Sequence, residues 1–147
     1  MKESMKLKGH GYFERRKKDG TKIDSWECDN LIVTVGKVFA VKLLSGQETD
    51  YFNTIAIGEG TDEPAVGQEA LGSEVKREVA DISYEATAKV VFEKTFDFGS
   101  GEEYDITEAG LFNNSSAGGV MLDRFKFTAK SVDLDTDLYC KITITQA

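Results

Sequence analysis

A chain of 147 residues and 16.2 kDa has the size of one domain, and folding at that length buries roughly 70% of the surface the unfolded chain exposes, enough for a real core. At 40% apolar and 30% charged, with one proline, the composition is that of a soluble globular protein and excludes the disordered class. The formal net charge of -8 is uneven: residues 1–22 hold eight bases against three acids, about +5, which leaves about -13 for the remainder. The longest apolar stretch, "NLIVTVGKVFAVKLL", contains Lys37 and Lys42 and is too short to span a bilayer, so no membrane partner is expected. "MKESMKLKGHG" has no apolar run behind its lysines, which points to synthesis in a cytoplasm without a secretory signal.

In chain order, "KLKGHGYFERRKKDGTKIDSWEC" reads as a β-hairpin within residues 1–29, turning at Lys18-Asp19-Gly20. Gly9 and Gly11 weaken its first strand and suggest a bulge or a sheet edge. "TVGKVFAVKLLSG" fits a helix near 34–45, with Thr34 as N-cap and Gly46 as the stop; its apolar residues lie nearly all round, which predicts burial. A buried strand is the competing reading, because Val33, Val35, Val38 and Val41 are β-branched, but length and boundary signals favour the helix.

A short strand through Ile57 then breaks into a loop, "GEGTDEPAVGQEALGS", with room for one helical turn at Ala70 and Leu71. Next, Ile82, Tyr84, Ala86, Ala88, Val90, Phe92, Phe96 and Phe98 occupy alternate positions, and the residues between them, Val91 included, form a wet face. That pattern predicts one long antiparallel strand, bent in its middle, whose small Ala86 and Ala88 leave room for a large side chain from a facing element. Strands follow at Ile106–Phe112 and Val120–Phe127, and the last strand turns Leu138, Cys140, Ile142 and Ile144 inward. The expectation is a single domain over 1–147: a basic hairpin, 1–29, on a main β body, 30–147. Its class is mainly β, an antiparallel β-sandwich or small barrel of six or seven strands with one helix.

Catalytic and ligand-binding motifs are weak. His10, the one histidine, stands between glycines at a strand start, a poor place for the oriented imidazole of a triad. "GEGTDEP" lacks the Lys-Ser/Thr pair of a phosphate loop. "DLDTD" (Asp133, Asp135, Asp137) begins like a calcium loop but has Leu138 where the sharp turn needs glycine. Cys28 and Cys140 match no zinc or redox spacing and read as small buried hydrophobes. With 26 acidic residues, any carboxylate pair could be nominated for glycoside hydrolysis, so the pattern is uninformative. The N-glycosylation matches at Asn113 and Asn114 are chance without a secretory route. The basic cluster Arg15, Arg16, Lys17 and Lys18 sits at the hairpin tip. A nucleic-acid binder would spread such charge over a broad face with interleaved aromatics, so a solvated turn or a protein contact is the better reading. No catalytic residue, cofactor or metal is expected.

The order of segments nonetheless resembles the small virion structural proteins of tailed bacteriophages. The likeness spans essentially the whole chain and rests on "DNLIVTVGKVFAVKLLSG", "YFNTIAIGEGTDEPAVGQEALGSEVKRE", "ITEAGLFN" and "GVMLDRFKF". The matching residues are Asn30, Gly36, Ile57, Gly58, Gly60, Thr61, Pro64, Leu71, Glu74, Arg77, Ile106, Glu108, Gly110, Leu111, Phe112, Leu122 and Arg124. Such proteins occur in heads and in tail appendages. A chain with no coiled coil or fibrous repeat is too short to be a fibre, which favours a capsid decoration protein. The resemblance implies a homo-oligomer, by analogy a trimer, located in the virion and seated on the major capsid protein or another virion protein. The Arg15–Lys18 tip is the candidate docking element. A tail-fibre, baseplate or receptor-binding accessory protein is the alternative; a carbohydrate-binding module is a weaker one, with Trp26, Tyr51, Tyr104 and Tyr139 as its candidate aromatics. Glu108, lying in an apolar strand, is expected to cap a backbone turn or to pair with Arg77 or Arg124, because an unpartnered buried carboxylate is costly.

Overall fold

Apolar and polar alternation becomes ten β-strands in a computed structural model that describes residues 6–85 and 87–146. The elements are β1 (Leu7–Lys17), β2 (Lys22–Asp29), β3 (Leu31–Ile32), α1 (Thr34–Leu44), β4 (Thr54–Gly58), β5 (Glu74–Val79), β6 (Asp81–Glu85), β7 (Lys89–Phe96), β8 (Tyr104–Phe112), β9 (Met121–Val132) and β10 (Thr136–Gln146). They form two five-stranded antiparallel sheets, β2-β1-β10-β7-β6 and β3-β9-β8-β4-β5, packed as a sandwich. Both sheets are open, so the barrel alternative falls. The expected six or seven strands become ten because short elements such as β3 and β5 ("EVKREV") carry no apolar alternation to announce them.

The core lies between the sheets. Phe13, Phe92, Leu138, Cys140 and Ile142 from the first sheet meet Ile55, Ile57, Ala109, Leu111 and Phe125 from the second. Phe13 anchors it, stacked on Trp26 at 5.6 Å between ring centroids and edge-on to Phe125 at 5.9 Å. A second, smaller cluster, Val33, Ala56, Leu71, Phe112 and Met121, lies on the opposite face of the second sheet, where loops cover it.

Three expectations about strands and loops change. The long strand over 82–98 is a hairpin: Thr87 and Ala88 take positive φ (73° and 53°) and the chain reverses from β6 to β7. Ile82 and Tyr84 are therefore exposed on an edge strand, while Val91, assigned to the wet face, is buried. The opening glycines mark close approach instead of an edge or a bulge. β1 lies between β2 and β10, and a Cβ on Gly9 would stand 2.0 Å from Asn30 Nδ2. The ladder irregularity falls at Arg15 and Arg16 instead. In the loop before β5, no helical turn forms at Ala70 and Leu71; Leu71 is a buried anchor.

The helix forms over the expected span, but its N-cap is Val33 without a side-chain cap, and Gly46 follows the end at φ 74°. It is not wrapped in core: Gly36 and Phe39 are buried, whereas Val38, Val41 and Leu44 are 50%, 64% and 77% exposed. Gly36 permits backbone-to-backbone packing on β9, since a Cβ there would lie 2.6 Å from Leu122 Cα and 2.7 Å from its carbonyl oxygen. Neither atom can swing aside as a side chain would. Gly36→Ala is accordingly expected to cost about 1–3 kcal/mol, read as a lower urea midpoint at unchanged slope; an unchanged midpoint would refute this packing account.

Candidate functional site

Glu108 lies in β8 directly opposite Gly58 of β4, on the loop-covered face of the second sheet, and is fully buried. Its carboxylate fastens the loop of residues 59–73. Oε2 accepts from the Gly60 N–H at 2.6 Å and the Ser73 N–H at 2.8 Å, and Oε1 accepts from the Gly72 N–H at 2.8 Å. Arg124 Nε donates to Oε1 at 2.9 Å, and the side chains of this ion pair are both 0% exposed. The neighbouring Thr107 hydroxyl donates to the Gly60 carbonyl at 2.6 Å. Glycines make the approach possible: a Cβ on Gly58 or Gly60 would stand 2.5 or 2.4 Å from Glu108 Oε2. Burial by itself would raise the Glu108 pKa; the Ser73 and Gly72 amides, Arg124 and the Gly60 amide outweigh it, and the pKa falls below the ordinary glutamate value.

Arg124 continues the same task, donating from Nη1 to the Asp62 carbonyl at 2.6 Å. Its Nη2 is buried with no hydrogen-bond partner among the described residues. Arg77, the other candidate partner, does not reach Glu108. It pairs with Glu74 at 2.5 Å and donates from Nη1 to the carbonyls of Asn114, Ser116 and Gly118 at 2.6–2.9 Å, with its guanidinium over the Phe112 ring. It pins the loop between β8 and β9 as Arg124 pins the loop between β4 and β5.

Sequence reasoning missed Asp123. It faces the inter-sheet side of β9, fully buried, and accepts from the Leu111 N–H at 3.0 Å and from Asn30 Nδ2. Asn30 Oδ1 in turn accepts from the Gly9 N–H at 3.0 Å, so the chain Asp123–Asn30–Gly9 ties the second sheet to the first. Burial pushes the Asp123 carboxyl up to about 7 against the two N–H donors. The available signal was an acid inside the otherwise apolar strand start "MLDRF", a signal that Arg124 beside it overshadowed.

The basic hairpin tip is largely neutralised within the chain. Arg15 pairs with Asp24 at 2.8 Å, Arg16 with Glu14 at 3.1 Å and Lys18 with Asp137 at 2.6 Å, while Lys17 is exposed. His10 lies 3.1 Å from both Asp29 and Glu27, whose hydrogen bonds raise its pKa. Asp133 closes a turn by accepting from the Asp135 N–H at 2.9 Å, and no cluster of metal-ligating side chains occurs among the described residues. The candidate sugar-stacking aromatics do not share a face. Trp26 stacks on core Phe13, Tyr139 lies on the opposite side of that sheet between Tyr12 and Arg16, and Tyr104 packs on Phe98. No family model, curated protein or solved structure matches the chain.

Two consequences can be measured. Glu108→Ala leaves Arg124 buried without its counter-charge and frees three amides, so a loss of about 3–5 kcal/mol in unfolding free energy is expected; a loss within 1 kcal/mol, roughly the worth of an exposed pair, would contradict the geometry. The buried carboxyls give opposite pH slopes. Asp123 keeps a proton in the folded chain that the unfolded chain has already released, so its contribution declines as pH rises from its unfolded value near 3.8 towards about 7. Glu108, with its pKa lowered, contributes fully above its unfolded value and loses that contribution as pH falls through the folded one. Urea titrations at pH 5 and pH 8 on wild type and Asp123→Asn should show the wild type losing stability relative to the variant at the higher pH; parallel curves would rule out the raised carboxyl.

Proposed function

We propose that the chain is a structural protein of a tailed-bacteriophage virion, a capsid decoration protein that self-associates and reinforces the head shell without turning over any substrate. One observation carries this reading. Of the polar residues in the resemblance, Asn30, Glu74, Arg77, Glu108 and Arg124 use their hydrogen bonds inside the fold to hold loops or to tie the sheets together, while apolar side chains of α1 and β6 remain outside. A molecule built this way presents rigid surfaces for contact.

The physics suits reinforcement. A protein that binds the assembled lattice and not its separated subunits stabilises the lattice by linkage, and modest contacts are multiplied by symmetry. The acidic body, within a net charge of -8, keeps decorated particles apart. Because the Arg15–Lys18 tip is mostly paired internally, it offers an acidic shell less free charge than its sequence suggests.

Gold-labelled antibody on purified particles, followed by a low-resolution map, tests the reading. Regular density on the head shell is the expected result, and heads stripped of the protein should release their contents at a lower temperature than decorated ones. Label at the tail would transfer the chain to the appendage class, and particles lacking it altogether would end the virion reading.

A further inference from the structure

We infer that the groove between α1 and the start of β1 is a self-association site that receives the β6 edge of a second copy of the chain. The inference rests on the self-association proposed above and specifies the two surfaces that make it.

The groove, about 550 Å³, is floored by Leu7, Leu31, Ile32, Ala40, Val41 and Leu44. Lysines 6, 8 and 37 line its rim, and none of the three has an ion-pair partner among the described residues. Elsewhere Arg15, Arg16, Lys18, Lys76, Arg77 and Lys126 sit within salt-bridge distance of a carboxylate, whereas the three groove lysines share one apolar pocket with no acid in its lining. An apolar trough with unneutralised positive charge around it fits a ligand that is apolar along its middle and acidic at its ends.

The chain itself carries such a segment. β6 is the terminal strand of the first sheet, so one of its backbone edges is unpaired, and all five of its residues are exposed. It offers Ile82 and Tyr84, 43% and 76% exposed, between Asp81 and Glu85, and neither acid has an ion-pair partner among the described residues. An exposed edge strand with large apolar side chains invites pairing. Pairing with its own copy is disfavoured, because antiparallel docking about Ser83 would set Asp81 opposite the other copy's Glu85 at both ends. The lysine-rimmed groove has the opposite charge. β10 and β7 separate β6 from β1 in the sheet, so groove and strand are different patches and the contact is head-to-tail. Contacts of that kind close into rings or continue as filaments.

Sedimentation equilibrium of the full chain tests the assignment with Val41→Asp in the groove and Tyr84→Asp on the strand, both at exposed positions where folding should survive. Each variant is expected to weaken association by roughly tenfold or more. An equimolar mixture should recover a one-to-one pair, because the Tyr84→Asp chain keeps an intact groove and the Val41→Asp chain an intact strand. Lys37→Glu and Glu85→Lys should each weaken association, and the two changes placed in one chain should restore it. A monomeric wild type, a variant that associates like wild type, or a mixture that stays monomeric would overturn the inference. If only Tyr84→Asp dissociates, the groove serves another ligand, and the assignment fails on that count too. Head labelling that persists when this interface is disproved leaves the virion reading standing; association through it in a protein absent from particles does the reverse.

Discussion

A carboxylate removed from water must find its full set of donors, and the second sheet is organised around meeting that need for Glu108. The loop of residues 59–73 closes on itself through few backbone bonds, Glu59 N–H to the Ser73 carbonyl and Gln68 N–H to the Ala65 carbonyl, and its ends are gathered by the carboxylate. Three of its amides converge on one side chain, and the arginine that balances the charge also takes a carbonyl from the same loop. A hydrophobic contact in the same place would hold the loop without specifying its path; directed N–H donors select one arrangement. The glycines at 58 and 60 follow from this geometry, since any side chain there would occupy the carboxylate's position.

The same logic recurs on the other side of the sheet. Asp123 and Asn30 carry a polar link through the inter-sheet layer to the Gly9 amide, and Gly9 lacks a side chain because the Asn30 amide fills that space. Arg77 gathers three carbonyls of a loop that otherwise has few internal partners. Three polar side chains thus do for this sandwich what longer strands or a disulfide do for others, at the cost of buried charge that depends on pH.

Legibility in the sequence followed how local the cause was. β10 could be read residue by residue, because Leu138, Cys140, Ile142 and Ile144 alternate without interruption and all four are buried. The reversal between β6 and β7 could not: the alternation stays in phase across it, and the turn uses Thr87 and Ala88 at positive φ where glycine or asparagine would have signalled it. A partner for Glu108 could be inferred from the cost of burying it, but not which one. Arg77 and Arg124 flank the same sheet, and only the register, Gly110 opposite Arg124 and Ala56 opposite Arg77, settles which guanidinium lies beside β8. Exposure of α1 was hidden for a similar reason: apolar residues all round a helix imply burial only if partners surround it, and here β9 covers one side.

That mismatch separates two kinds of apolar residue in this chain. Those within the sandwich and under the loops are accounted for by folding, and their polar neighbours are satisfied almost completely. Val41, Leu44, Ile82 and Tyr84 are not accounted for by folding, because each leaves much of its surface in water while contributing little to the core. A single exposed leucine needs no explanation. Two apolar patches of opposite charge surround, one lined by lysines and one bracketed by acids that have no ion-pair partner among the described residues, complement each other. Contact between copies would bury both patches and neutralise both sets of charges at once, which is why the unmatched surface, and not the well-satisfied interior, is the place to look for what this protein does.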